Sequence, residues 1–268
     1  MAEVPPPSSS CDPFRPRHEF LIARLSAAAA RSSLVTFATP VSPDRNFSLN
    51  PSDFAFLWEE CARCFYLKVV DNIRRPKVQM PRIFSTIDAA MKEFYGGKPT
   101  RDITPLLPAG VIGAGAERVR SFPLSVPGHS STCTIRGRPD TILRFDEGSY
   151  GIVDFKTSET RTQHKQLYGR QLHAYAVALE NAAPGHLALS PVARLGLVVF
   201  EPSAFSSGSD ETARLTGSVK WTEIPRDDGG FWRFLGQVLD ILERASPPDA
   251  PPSCKWCTYR DAARSTGL

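Results

Sequence analysis

Asp140, Asp154 and Lys156 are the residues of this chain whose types and spacing fit a reaction. Two carboxylates held close together repel one another as anions unless a cation lies between them. Hard oxygen ligands with open water positions suit magnesium or manganese. Such an ion lowers the pKa of a bound water and neutralises charge on a phosphate, while a neighbouring lysine orients the nucleophile or stabilises the pentacoordinate transition state. That is the chemistry of phosphodiester hydrolysis. A lone Asp-x-Lys tripeptide is common on solvated hairpins, so the surrounding elements decide between an active site and an ordinary surface.

Those elements read as an antiparallel hairpin. Residues 133–145 and 150–156 are rich in β-branched and aromatic side chains and flank the turn-forming run Asp146-Glu147-Gly148-Ser149. A turn centred near Glu147 pairs residues whose numbers sum to about 294, which sets Asp140 opposite Asp154. Side chains alternate along a strand, so Lys156 lies on the face of Asp154, about 7 Å further on, while Val153 and Phe155 point to the opposite, core-facing side. Residues 163–181 have few breakers and carry Leu172, Ala176 and Leu179 at helical spacing, the pattern of an amphipathic helix packed on a sheet. A neighbouring stripe of His164, Tyr168, Gln171 and Tyr175 projects polar and aromatic groups toward one cleft. Gln171 and Tyr175 on that stripe are candidates to position the site or nucleic acid, against the reading of a half-buried tyrosine and a solvated glutamine.

Together these segments resemble the PD-(D/E)XK nuclease superfamily, in particular its RecB-type exonuclease branch. Gly137-Arg138-Pro139-Asp140 is similar to the branch's Gly-x-x-Asp motif, Asp154-Phe155-Lys156-Thr157 to its Asp-Tyr-Lys-Thr motif, and Gln171 to Tyr175 to its Gln-x-x-x-Tyr motif. The resemblance implies Asp140 and Asp154 as metal ligands, with the carbonyl of Phe155 assisting and Lys156 activating or stabilising. Many members of the branch place a metal-binding histidine on the helix before the catalytic strands. No histidine lies between His18 and His129 here, and Asp88, in the segment 84–92, stands near the expected position as an oxygen ligand in its place. The alternative for Asp88 is an acid in the first turn of a helix, where the macrodipole favours it.

The resemblance extends to both flanks. Residues 49–67 look like the branch's opening helix, with Ser52 or Asp53 as the N-cap and Cys61-Ala62-Arg63-Cys64-Phe65-Tyr66 near its end. Cys254-Lys255-Trp256-Cys257-Thr258-Tyr259 looks like the terminal cysteine element, reached after an apolar helical face of Phe231, Phe234, Leu235, Val238, Leu239 and Leu242. Family members with all four cysteines bind an iron–sulfur cluster. In this chain Ala263 stands where the last cysteine is expected, and Cys64 is additional. Cys61 and Cys64, three apart on a helix, share a face and with Cys254 and Cys257 form a CxxC…CxxC set suited to an iron–sulfur cluster or to zinc; the alternatives are loss of the ancestral site and Cys61 and Cys64 as buried small hydrophobes.

The remaining composition sets limits. The 268 residues, 41% of them hydrophobic, suffice for one sizeable core. Residues 1–47, with their proline, serine and alanine runs, read as a weakly ordered leader that includes a short helix over 20–30, and residues 48–268 as one nuclease-like domain. No signal-peptide core or membrane-spanning run is present, and cysteines outside any disulfide framework fit a cytoplasmic protein with no membrane partner. The net charge of +4 does not by itself mark a nucleic-acid binder. Its distribution is more telling: Arg74, Arg75, Lys77 and Arg82 form one cluster, and Arg118, Arg120, Arg136 and Arg138 another, either of which could track phosphates. Gly110 to Gly115 lacks the lysine of a P-loop.

Residues 195–201 and 218–224 read as further strands separated by a polar loop at 202–210. The expected fold is a restriction-endonuclease-like core, a mixed β-sheet flanked by helices. The expected activity is that of a magnesium- or manganese-dependent deoxyribonuclease, exonuclease or endonuclease, in DNA repair, recombination or processing. The resemblance adds a helicase or recombination protein as a partner of the DNA-bound enzyme. Two other classes compete: a nucleic-acid-binding or scaffolding relative without turnover, and a zinc- or cluster-stapled interaction module.

Overall fold

The computed structural model describes residues 45–266, apart from 116, 158–161 and 210. Residues 1–44 of the leader, with its helix over 20–30 and Cys11, lie outside the described residues, while its last two residues, Asn46 and Phe47, open the first strand. The strands are β1 (Asn46–Leu49), β2 (Gly110–Ile112), β3 (Val119–Arg120), β4 (Leu124–Ser125), β5 (Thr132–Gly137), β6 (Thr141–Phe145), β7 (Tyr150–Thr157), β8 (Val192–Ser207) and β9 (Ala213–Ile224). The helices are α1 (Pro51–Ala55), α2 (Leu57–Glu60), α3 (Ala62–Val69), α4 (Arg82–Tyr95), α5 (Thr162–Glu180), α6 (Asp228–Leu242) and α7 (Lys255–Ser265). The result is a mixed α/β fold with mixed sheets flanked by helices, the restriction-endonuclease-like arrangement.

One sheet has the order β2-β6-β7-β8-β9. In it β6 runs antiparallel to β7, and β7 runs parallel to β8 through the α5 crossover. The hairpin pairs Ile142 with Ile152 and Thr141 with Val153, the register in which residue numbers sum to 294. Its turn is closed by the Gly148 amide on the Phe145 carbonyl at 3.0 Å. Gly148 has φ +89, a left-handed conformation that glycine adopts without steric cost.

The stretch 133–145 is not one strand. It divides into β5 and β6, which belong to different sheets, with residues 138–140 forming the corner. Pro139 has no amide hydrogen to give a ladder, so pairing stops there. A second small sheet forms around β5, with β1 parallel to it and β3 and β4 antiparallel.

Both faces of the larger sheet are covered. Ile152, Leu195, Leu197 and Val199 pack toward α5 and α6, whereas Val153, Phe155 and Val198 pack against Met91 and Tyr95 of α4. The face carrying Asp154 is therefore a core face as well, and Asp154 retains only 3% exposure. α5 was expected to bury one stripe, yet every residue from 174 to 179 is buried. It runs between the larger sheet, the small sheet and α1 with α6, leaving no solvent side over that span.

Other expectations need correction. The opening helix is three short helices, and it starts at Pro51 after Asn50, with no side-chain cap from Ser52 or Asp53. Asp53 instead accepts from Asn50 and pairs with Lys68. The polar loop at 202–210 is largely strand: β8 continues to Ser207 and pairs with β9 as an exposed arm. Asp88 lies in the second turn of α4, whose first residue is Arg82.

Candidate active site and thiol cluster

Asp154 sits on the central strand β7, and Asp140 sits at the corner just before β6, where the hairpin register brings it across from Asp154. One Asp140 oxygen, Oδ2, accepts from the Phe155 amide at 3.3 Å. The other, Oδ1, lies 2.9 Å from Lys92 Nζ. Lys92 also reaches Asp88 Oδ2 at 2.8 Å, so a single ammonium joins Asp88 to Asp140. Lys156 Nζ lies 2.5 Å from Asp154 Oδ2, but off the line of a hydrogen bond. That buried oxygen therefore has an ion pair and no aligned donor.

The electrostatics of the pair follow from this packing. Burial, opposed by Lys156 and reinforced by the Asp140 charge, raises the Asp154 pKa to about 7. Asp140 is held below the ordinary carboxylate range: burial works against it, but a hydrogen bond with Asp154 and the ammonium groups of Lys92 and Lys156 outweigh burial. Their proximity thus drives the two titrations apart, Asp154 upward and Asp140 downward. Burial also disfavours the charge on Lys92, yet its contacts with Asp88 and Asp140 raise its pKa. Two close oxygen acids, one with an unaligned buried acceptor, form a donor set that fits a hard divalent cation.

The other residues read from the sequence arrange themselves around this pair. Tyr175 donates its hydroxyl to the Arg138 carbonyl at 2.9 Å and so braces the corner that carries Asp140. A Cβ on Gly137 would meet Tyr175 Cε1 at 3.0 Å and Pro51 Cδ at 3.1 Å, so the ring packs where only glycine leaves room. Tyr168 lies beneath Lys156, whose Nζ is 5.0 Å from the ring centroid. Gln171 is half-buried on the same stripe, and the side chain of His164 lies outside the described residues. His173, by contrast, is structural: Nδ1 donates to the Gly169 carbonyl, and Nε2 accepts from the Asp227 amide. The sequence reading did not single out Lys92. Its signal was the Asp88 to Lys92 spacing of four on a helix, which favours an ion pair.

The two arginine clusters prove to be joined in part. Arg74, Arg118, Arg120, Arg136 and Arg138 line one groove of about 660 Å³, whose wall includes Gly137 of the corner. A cavity around His173 and Phe231 is more apolar but contains neither acid.

A second cluster lies elsewhere in the fold. Cys61, Cys64, Cys254 and Cys257 are all buried, and their four sulfurs lie within 4.8 Å of one another, an arrangement that could hold a metal ion. Cys61 and Cys64 do not share a helix face as expected. Cys61 is extended, with φ −168 and ψ 104, and caps α3 through a Cys64 amide to Sγ contact of 3.4 Å. Cys133 lies apart in the core.

Comparison with known families places these features. The model of the PD-(D/E)XK nuclease superfamily matches residues 108–262, which include both acids, Lys156, the Gln171 to Tyr175 segment and the second cysteine pair. The chain belongs to the PD-(D/E)XK nuclease superfamily. Members of this superfamily are generally nucleases that use divalent metals. A solved structure titled "Crystal structure of SSO0001" is similar with a TM-score of 0.39 and 17% identity, over 74% of this chain and 78% of that one. No curated protein matches the chain. Among the described residues, no helix is long and apolar enough to cross a membrane.

Proposed function

We propose that this PD-(D/E)XK protein is a magnesium- or manganese-dependent deoxyribonuclease of the RecB-type exonuclease branch, acting in DNA repair, recombination or processing. The observation that carries the reading is the pairing of half-buried Asp140 with buried Asp154, flanked by Lys156. Asp140, Asp154 and the Phe155 carbonyl are the ligands, and Asp88 is a further oxygen donor once Lys92 moves off it. When bound, the ion supplies Lewis acidity toward the phosphate and acidifies a water. Lys156 holds its positive charge beside Asp154, where it orients the attacking water and offsets charge gathering on the phosphoryl oxygens. Tyr175 keeps the Gly137 corner in place through Arg138, and Gln171, one turn earlier on α5, contacts the nucleic acid. The arginine groove beside that corner binds successive phosphates and delivers the strand.

The test uses end-labelled single-stranded, linear duplex and circular DNA in magnesium and then manganese, with Lys156→Ala purified identically. Metal-dependent cleavage that disappears in the variant supports the reading, and sparing of circles assigns exonuclease action. No cleavage, or cleavage unchanged by the substitution, overturns it. One observation favours a second reading, a DNA-binding relative without turnover: Lys92 is clamped between Asp88 and Asp140. In that case DNA binds tightly while magnesium binds weakly, and Lys92→Ala leaves the protein inactive. A helicase or recombination partner belongs to the same proposal and is tested by co-purification with the DNA-bound protein.

A further inference from the structure

The four cysteines set a question that the nuclease reading does not answer. Their resemblance to the terminal element of the branch implies an iron–sulfur cluster, and the sulfur positions can be tested against it. In a cluster, cysteines ligate different irons around an inorganic sulfide core, so at least some cysteine sulfurs are held well apart by the metals between them. Here the Cys61 to Cys257 and Cys64 to Cys254 separations are both 3.8 Å, and Cys64 to Cys257 is 3.5 Å. No pair exceeds 4.8 Å. A single ion about 2.3 Å from each of four tetrahedral sulfurs places those sulfurs about 3.8 Å apart. The spacing matches one metal ion and leaves no room for a cluster.

We infer that Cys61, Cys64, Cys254 and Cys257 form a mononuclear tetrahedral zinc site that fastens the C-terminal helix to the α3 segment. Three further observations point the same way. Each CxxC pair stands at the start of a helix, α3 or α7, where backbone amides and the helix dipole favour thiolates. Arg75 Nη2 lies 3.5 Å from Cys254 Sγ, and Arg260 Nη2 lies 3.3 Å from Cys257 Sγ. Four thiolates around one divalent ion leave two negative charges, which these two guanidinium groups offset. Finally, Cys257 is the only residue of α7 that is buried. Beyond the partly buried Trp256, hydrophobic burial therefore contributes little to holding this helix, and its Arg63 to Asp261 ion pair is exposed and weak. The thiolates supply the attachment that α7 lacks.

This inference is independent of DNA cleavage. The experiment is elemental analysis of the full chain, purified without chelator from cells supplied with both zinc and iron, together with its absorption spectrum. Exchange into cobalt follows. The expected result is one zinc per chain, no visible sulfide-to-iron absorption, and, after exchange, the strong d–d bands of tetrahedral cobalt thiolate. Cys64→Ser lowers the zinc content to near zero, whereas Cys64→His retains zinc in a Cys3His set. Two or four irons per chain with visible absorption would overturn the proposal. So would a metal-free protein with four reactive thiols, or cobalt bands lacking the four-thiolate signature. Because the cobalt spectrum is read on the unaltered protein, poor folding of Cys64→Ser leaves the proposal exposed to refutation.

Discussion

The carboxylate site and the thiol site are both buried clusters of titratable groups, and they differ in what holds them together. Asp140 and Asp154 are neighbours because a hairpin with one register places them so, and cores on both faces of the sheet support that hairpin. Their charges are already matched by Lys92 and Lys156. The thiols come from segments about 190 residues apart, between Cys64 and Cys254. Among the described residues, Leu57, Ala250 and Trp256 contribute partly buried packing around them. The first site therefore stands without an ion, and under the proposed function a metal there serves chemistry. The second site contributes much of the packing of its region, and under the inferred zinc binding a metal there serves attachment.

The sharpest way to break this contrast is at the lysine. Lys156→Ala is expected to lower kcat by about 10³-fold or more, in the range for lost electrostatic stabilisation of a transition state, while circular dichroism stays near that of the unaltered protein. Asp154→Asn should also abolish cleavage, yet raise stability. The folded pKa of Asp154 is raised, so ionising it in place costs stability that is fully incurred above about 7 and recedes as pH falls toward 3.8. A thermal-melt series should show the variant more stable at alkaline pH, with the gap closing in acid. A gap that widens in acid would refute the assignment.

Stripping the thiol metal with a strong chelator is the next largest effect. Hydrogen exchange in residues 255–265 is expected to accelerate by about 10-fold or more as α7 detaches, with protection in β6 and β7 unchanged. Equal loosening of both regions would erase the distinction drawn between them. The corner comes third. Gly137→Ala forces its methyl onto the Tyr175 ring and should cost about 1–3 kcal/mol in urea unfolding, as overpacking does. Tyr175→Phe leaves the Arg138 carbonyl without its donor and should cost about 1 kcal/mol, lowering kcat with little change in metal affinity. The smallest effect belongs to the groove. Removing Arg118 or Arg136 should weaken DNA binding a few-fold, and lower the slope of log affinity against log salt by about one, uniformly across sequences.

Much of the carboxylate site was legible because its determinants are local. Turn residues at 146–149 and alternating strands give the register, and the register alone opposes Asp140 to Asp154. The break between β5 and β6 was equally written in Pro139, although the run of β-branched residues obscured it. Lys92 was not legible as a partner of Asp140, because the two belong to elements that meet only when α4 packs over Phe155. The α5 stripe was read as one-sided because periodicity reports where apolar residues fall, not how many layers will close over a helix. Arg74 joined the second arginine cluster rather than its sequence neighbours for the same reason.

The sequence by itself determined the hairpin, its two acids and lysine, and the family to which these motifs belong. These follow from interactions within a few residues, where backbone geometry leaves few alternatives. Tertiary structure alone decided that Asp154 is buried deeply enough to hold a proton near neutral pH, that Lys92 bridges Asp88 and Asp140, and that four cysteines from opposite ends of the domain converge at single-ion spacing. Desolvation and long-range contact depend on which surfaces meet, and that is set by the packing of the whole chain.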